Sequence, residues 1–161
     1  MFDFTPSTQG DKPALYADLL SAAEAITSGE PDAIANMANL AALIWQYLPD
    51  LNWAGFYRRV DGELLLGPFQ GKPACIRIAL GKGVCGTAAA TAQTQLVTDV
   101  HSFPGHIACD AASASEIVVP IIVEGRVTAV LDLDSPSLGR FDASDQQGLE
   151  ALIERIGGRL A

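Results

Sequence analysis

All three cysteines of this 161-residue chain lie in one stretch: Cys75, Cys85 ten residues later, and Cys109. Three thiols cannot all pair internally, so one is left beside two partners, which is the arrangement that thiol redox chemistry needs. Cys85 stands in Gly81-Lys-Gly-Val-Cys-Gly86 and Cys109 ends Phe103-Pro-Gly-His-Ile-Ala-Cys109, both loop-like sequences. Cys75, in Ala74-Cys-Ile-Arg-Ile78, reads as a more buried strand residue. Cys85 precedes an alanine-rich helical segment and has Lys82 nearby; a helix N-terminus and a cation both favour thiolate, which nominates Cys85 as the low-pKa nucleophile. Cys109 follows His106 by three residues, and a histidine within reach could activate it instead. An isolated cysteine is ordinarily an inert small hydrophobe. Three grouped around loops point to catalytic or redox use.

Three carboxylates could supply the acid. Asp132 and Asp134 alternate in Val130-Leu-Asp-Leu-Asp-Ser135, so a strand puts both on one face and Leu131 and Leu133 on the other. Glu116 opens the preceding strand. The ordinary reading of such a face is the solvated side of a half-covered sheet. Like charges held close, however, push one pKa upward and create a proton donor near neutral pH. Trp53 and Tyr57 are four apart in a strand and share a face, as core packing or as an apolar wall.

Rival chemistries fit less well. A zinc set of Cys75, Cys85, Cys109 and His106 lacks the Cys-x-x-Cys pair that zinc sites usually draw from one turn, so no metal is expected. His101 and His106 bracket Ser-Phe-Pro-Gly, and loop histidines are commonly solvated turn residues. Gly81, Gly83 and Gly86 imitate a phosphate loop without its Lys-Ser/Thr ending, and they do not match the dinucleotide fingerprint. No cofactor is expected.

The elements that must position these groups can be read from periodicity. Leu15, Leu19, Ala22 and Ile26 give a helix over Lys12–Thr27, and Ile34, Met37, Ala41, Ile44 and Leu48 a second between Pro31 and Pro49. From Asn52 the period changes to strands, with hairpins at Asp61-Gly62 and Glu124-Gly125. Ala74–Leu80 reads as a third strand and Gln95–Val97 as a fourth. A long loop then spans Thr98–Ser115, the strands Glu116–Val123 and Val127–Asp134 follow, and a last helix covers Asp142–Leu160. With no repeat or linker, this order predicts one α+β domain over residues 1–161, a central antiparallel sheet of about six strands flanked by helices. The net charge of −9, without a basic run, argues against nucleic acid and anionic membrane as partners. The first residues show no signal-peptide pattern, and no apolar run is long enough to span a bilayer. A reducing cytoplasm is the expected compartment, where a disulfide would be transient.

Asn52-Trp-Ala-Gly-Phe-Tyr57, Gly67-Pro-Phe-Gln-Gly71, Ala74-Cys75, Gly81-Lys-Gly-Val-Cys-Gly86, Cys109 with Glu116, and Asp132-Leu-Asp134-Ser together resemble the free methionine-(R)-sulfoxide reductases, proteins of the GAF fold. The likeness runs from about Leu15 to the end. It implies reduction of free L-methionine-(R)-sulfoxide, with Cys109 as the catalytic cysteine, Cys75 as its main recycling partner and Cys85 as an additional thiol. That overrides the helix-terminus argument for Cys85. It further implies that Glu116, Asp132 and Asp134 bind the amino acid and polarise the sulfoxide, and that Trp53 and Tyr57 flank its methyl group. Thioredoxin is the implied reductant, and the fold is compatible with a homodimer. The competing reading is a non-catalytic GAF module that senses a small ligand.

Overall fold

Asp11 and Asp32 begin the chain's first two helices by accepting backbone hydrogen bonds from Ala14 and Ala35. The computed structural model describes residues 4–6 and 11–161, with helix α1 at Lys12–Ile26 and α2 at Ala33–Tyr47. Strands β1 (Trp53–Val60) and β2 (Glu63–Gly71) follow, then β3 (Arg77–Ala79), helix α3 (Gly83–Thr91) and β4 (Gln95–Val97). Strands β5 (Ser115–Val123) and β6 (Arg126–Ser135) and helix α4 (Ala143–Ile156) complete the order. The six strands form one antiparallel sheet in the order β3-β2-β1-β6-β5-β4. Both predicted hairpin turns place their two central residues at positive φ, the conformation that matches the twist of the flanking strands.

Strand alternation divides the interior in two. Ala54, Phe56, Ile117, Val119, Leu131 and Leu133 face α1, α2 and α4 in the larger core. Trp53, Tyr57, Leu64, Ile78, Val118 and Val130 face α3 and the loops around it. The larger core is locked by Asp145, fully buried in the first turn of α4. It receives Lys12 Nζ at 2.6 Å, the Tyr16 hydroxyl at 2.9 Å and Arg140 at 3.3 Å, so the charge is paired rather than stranded.

Three boundaries differ from the sequence reading. The third strand spans only Arg77–Ala79, which leaves Cys75 in a half-buried loop, not a strand. Pro73 has no N–H to give to a ladder, and the Cys75 carbonyl accepts from the Tyr57 hydroxyl instead of from β2. The long loop carries a 3₁₀ turn at Val100–Ser102, held by Asp99 through the His101 N–H and the Ser102 hydroxyl. The last helix gives way after Ile156 to a 3₁₀ turn at Gly157–Leu160, where two glycines weaken the α conformation.

Candidate active site

Register across the three central strands assembles the acid cluster. Trp53 on β1 pairs with Asp134 on β6, which pairs with Glu116 on β5; one step along, Gly55 pairs with Asp132. The three carboxylates therefore share the face covered by α3, as predicted for Asp132 and Asp134. Gly55 is the position that keeps this face open, because a Cβ there would lie 2.3 Å from Phe69 Cβ and 2.8 Å from the Pro68 carbonyl oxygen. Phe69 stacks on Trp53 at 5.2 Å, and Trp53 on Tyr57 at 5.8 Å, which makes one aromatic wall. Gly55→Ala is expected to destabilise the fold by about 2–3 kcal/mol, the scale of forced overpacking against backbone. Urea denaturation measures it, and an unchanged midpoint would show that the strands part without strain.

The aromatic residues also hold the loops. The Trp53 indole N–H donates to the Lys72 carbonyl at 3.1 Å and the Tyr57 hydroxyl to the Cys75 carbonyl at 2.9 Å, which fixes the segment bearing Cys75. Across the mouth, Asn52 Nδ2 donates to Asp110 at 3.3 Å and to the Ser113 hydroxyl at 3.1 Å, which fixes the segment bearing exposed Cys109. Lys72 lies 3.7 Å from Asp110 and pairs one loop with the other. Between them Cys75 and Cys109 form a disulfide, with Cα atoms 5.7 Å apart. Ile107, two residues before Cys109, packs onto Gly83 at the start of α3; Gly83 has positive φ, and a Cβ there would press on the Ile107 side chain at 3.2 Å.

Cys85, placed by the sequence reading in a loop as the low-pKa thiol, is instead buried in the first turn of α3 and faces the carboxylates. Its Sγ lies 3.9 Å from Glu116 Oε1. Burial, then repulsion from Asp132 and Glu116, holds the thiol well above its usual value, and together they outweigh the helix terminus and Lys82. The same forces act on the acids. Burial, then Asp132 and Asp134, holds Glu116 well above the usual carboxylate range. Burial pushes Asp132 up to about 7, with the neighbouring Cys85 and Glu116 donors pulling the other way. Asp134 is raised by burial and by Asp132, and eased by the Ser113 hydroxyl. Asp132 Oδ1 is buried with no hydrogen-bond partner among the described residues. A buried polar oxygen left unpaired is a strong demand for a donor.

One cavity joins all of these groups. It is lined by Trp53, Tyr57, Cys85, Cys109, Glu116, Asp132 and Asp134 among others, so the structure gathers the predicted residues in one place, with Cys75 bonded at its mouth. Two of the four groups in the discarded zinc set are thereby joined as a disulfide. Sequence reading missed Asn52, Phe69, Lys72, Asp110 and Ser113, and it gave His106 no fixed part. Of these only Asn52 and Phe69 lay within recognisable motifs, and nothing local showed their reach.

A family model described as the GAF domain matches residues 35–160. The free methionine-R-sulfoxide reductase of Escherichia coli (strain K12) is 52% identical over 151 residues, covering 94% of this chain and 92% of its own. The free methionine-R-sulfoxide reductase of Saccharomyces cerevisiae is 45% identical over 158 residues, covering 93% and 88%. The X-ray structure of free methionine-R-sulfoxide reductase from Neisseria meningitidis in complex with its substrate superposes with a TM-score of 0.95 at 42% identity, covering 99% of this chain and 96% of that one.

Proposed function

The chain belongs to the GAF-domain family and, within it, to the free methionine-R-sulfoxide reductases, and from that premise we propose that it reduces free L-methionine-(R)-sulfoxide with Cys109 as nucleophile and Cys75 as resolving thiol. The observation that carries the reading is the Cys75–Cys109 disulfide at the mouth of a cavity floored by three acids, Glu116 and Asp132 buried and Asp134 half-buried. A disulfide is the end state of one turnover, and the acids are placed to lend the proton that the sulfoxide oxygen needs in order to leave.

The Cys109 sulfur attacks the sulfoxide sulfur while the Glu116 carboxyl protonates the oxygen, which could not otherwise leave. In sum, the Cys109 thiol takes the oxygen atom and becomes a sulfenic acid, and the sulfoxide becomes methionine. The Cys75 thiol then attacks the Cys109 sulfur; the S–S bond forms, the S–O bond breaks and water leaves. A dithiol of the thioredoxin class returns the disulfide to two thiols by exchange, in a reducing cytoplasm. Asp132 and Asp134 receive the ammonium group of the free amino acid, which a peptide-bound residue lacks, and the unpaired Asp132 oxygen gains a donor. Trp53 and Tyr57 bound the methyl group. Cys85, a buried thiol beside Glu116, serves this reading as a third thiol held out of the exchange.

The test is methionine release from the R and S epimers of free methionine sulfoxide, with dithiothreitol as reductant. Release from the R epimer alone is expected. No release from either epimer by folded, reduced protein would sink the reductase and favour the ligand-sensing module. Cys75→Ser should yield about one methionine per chain and then stall, with thioredoxin-supported turnover down at least about tenfold, because the sulfenic acid has lost its partner. A small thiol that reduces the sulfenic acid directly should restore cycling. Undiminished thioredoxin-supported turnover would hand the resolving part to Cys85.

A further inference from the structure

We propose that His106 carries the proton of the Cys109 thiol to Glu116 and so closes the proton circuit of the reduction. The inference rests on the reductase reading above. In the first half of that reaction one proton leaves the Cys109 sulfur and one arrives on the sulfoxide oxygen, with no net exchange with solvent. The two sites are apart: Cys109 sits in an exposed loop, whereas Glu116 is buried on β5 with its side chain 8% exposed. Once Glu116 has given up its proton it is a carboxylate beside Asp132 and Asp134 in a dry pocket, a state that burial and like charge both oppose. Something must reprotonate it, and something must deprotonate the thiol.

His106 stands beside the acid and on the same loop as the thiol. Its Nε2 lies 3.8 Å from Glu116 Oε2, its side chain is 14% exposed, and it lines the cavity with Cys109, three residues further along the same loop. The loop is built to hold it there: the His106 N–H donates to the Phe103 carbonyl at 3.2 Å, and Ile107 is seated on Gly83. A separation of 3.8 Å is too long for a hydrogen bond. Such looseness is common in proton-transfer pairs before substrate is bound. Burial, then His101, lowers the His106 pKa while Glu116 is raised, so the two values move toward each other and transfer between them approaches balance. The titratable groups around the pair are His101 from the 3₁₀ turn on one side, Cys85, Asp132 and Asp134 behind Glu116 on the other, and Lys72, Lys82 and Asp110 on the same cavity wall.

The experiment is single-turnover methionine formation from the R-sulfoxide by reduced wild type, His106→Gln and His106→Asn across neutral pH, with and without added imidazole. Wild type should lose rate at low pH as His106 becomes protonated and can no longer accept the thiol proton. Both variants should be slower by about 10²-fold at neutral pH, lack that acidic limb, and recover rate with imidazole. Either variant within about twofold of wild type at every pH overturns the proposal. So does a loss in both variants that imidazole leaves untouched, since that marks packing rather than proton transfer. Absence of methionine from wild type itself would instead bring down the reductase reading on which the proposal rests.

Discussion

Cys109→Ser is expected to lower methionine formation by at least about 10⁴-fold, the scale lost when a covalent nucleophile is removed. A serine hydroxyl at this position has neither the acidity nor the polarisability to attack sulfur, and it cannot hold the oxygen as a sulfenic acid. Cys109 is exposed, so the exchange should leave folding stability within about 0.5 kcal/mol once the disulfide is reduced in both proteins. That separates lost chemistry from lost structure. Two readouts check it: methionine released in a single turnover, and alkylation of Cys75 after exposure to the sulfoxide. Cys75 should stay fully alkylatable in the variant and become protected in wild type. Sustained turnover by the variant would move the nucleophile to Cys75 or Cys85. Cys85 is the poorer replacement, because its thiol is buried against Glu116 and Asp132, which oppose thiolate formation.

The contrast between Cys85 and Cys75 shows where the sequence is informative and where it is not. Features set by a few neighbouring residues were legible: both hairpin turns, the first helix from Lys12 and a second just after Pro31, and the alternation that puts Asp132 and Asp134 on one face. The fold class followed from them. The surroundings of the thiols were not legible, because distant partners set them. Cys75 leaves its expected strand since Tyr57, 18 residues earlier, takes its carbonyl. Cys85 loses its expected acidity since burial, then Asp132 and Glu116 on distant strands, oppose its thiolate, Glu116 coming to 3.9 Å. Likewise Asn52 braces the Cys109 loop through Asp110 and Ser113 across 58 and 61 residues, a contact with no local signature. The family resemblance supplied the assignment of Cys109 that local electrostatics argued against. The structure removes the local argument for the rival: the helix terminus at α3 points the Cys85 thiol into carboxylates, not toward a cation.

Glu116→Gln should be the second most damaging change, with a fall of about 10²–10³-fold in single-turnover rate, the range lost with a positioned general acid. Glutamine keeps the shape and removes the transferable proton, so the cavity stays open while the sulfoxide oxygen loses its donor. The pH profile gives the sharper reading. An acid works only while protonated, so above the acidic limb set by His106 wild-type activity holds up to the raised pKa of Glu116 and declines as pH climbs through it. Glu116→Gln has no such group, and the part of the alkaline decline that belongs to Glu116 should vanish with it. The substitution should move stability the opposite way to activity. In the folded chain Glu116 keeps its proton to a higher pH than it would unfolded, so over that window the native state binds more protons and stability falls as pH rises. Asp132, held up to about 7, and Asp134, raised likewise, add to the same slope. Removing Glu116's share should make the substrate-free variant more resistant to denaturation than wild type in alkaline solution, and closer to it in acid. A variant that is slower yet more stable at high pH would show strain stored for chemistry. A variant that keeps its rate and its alkaline limb would transfer the acid's part to Asp132, which is held up to about 7 and has an oxygen left unpaired among the described residues.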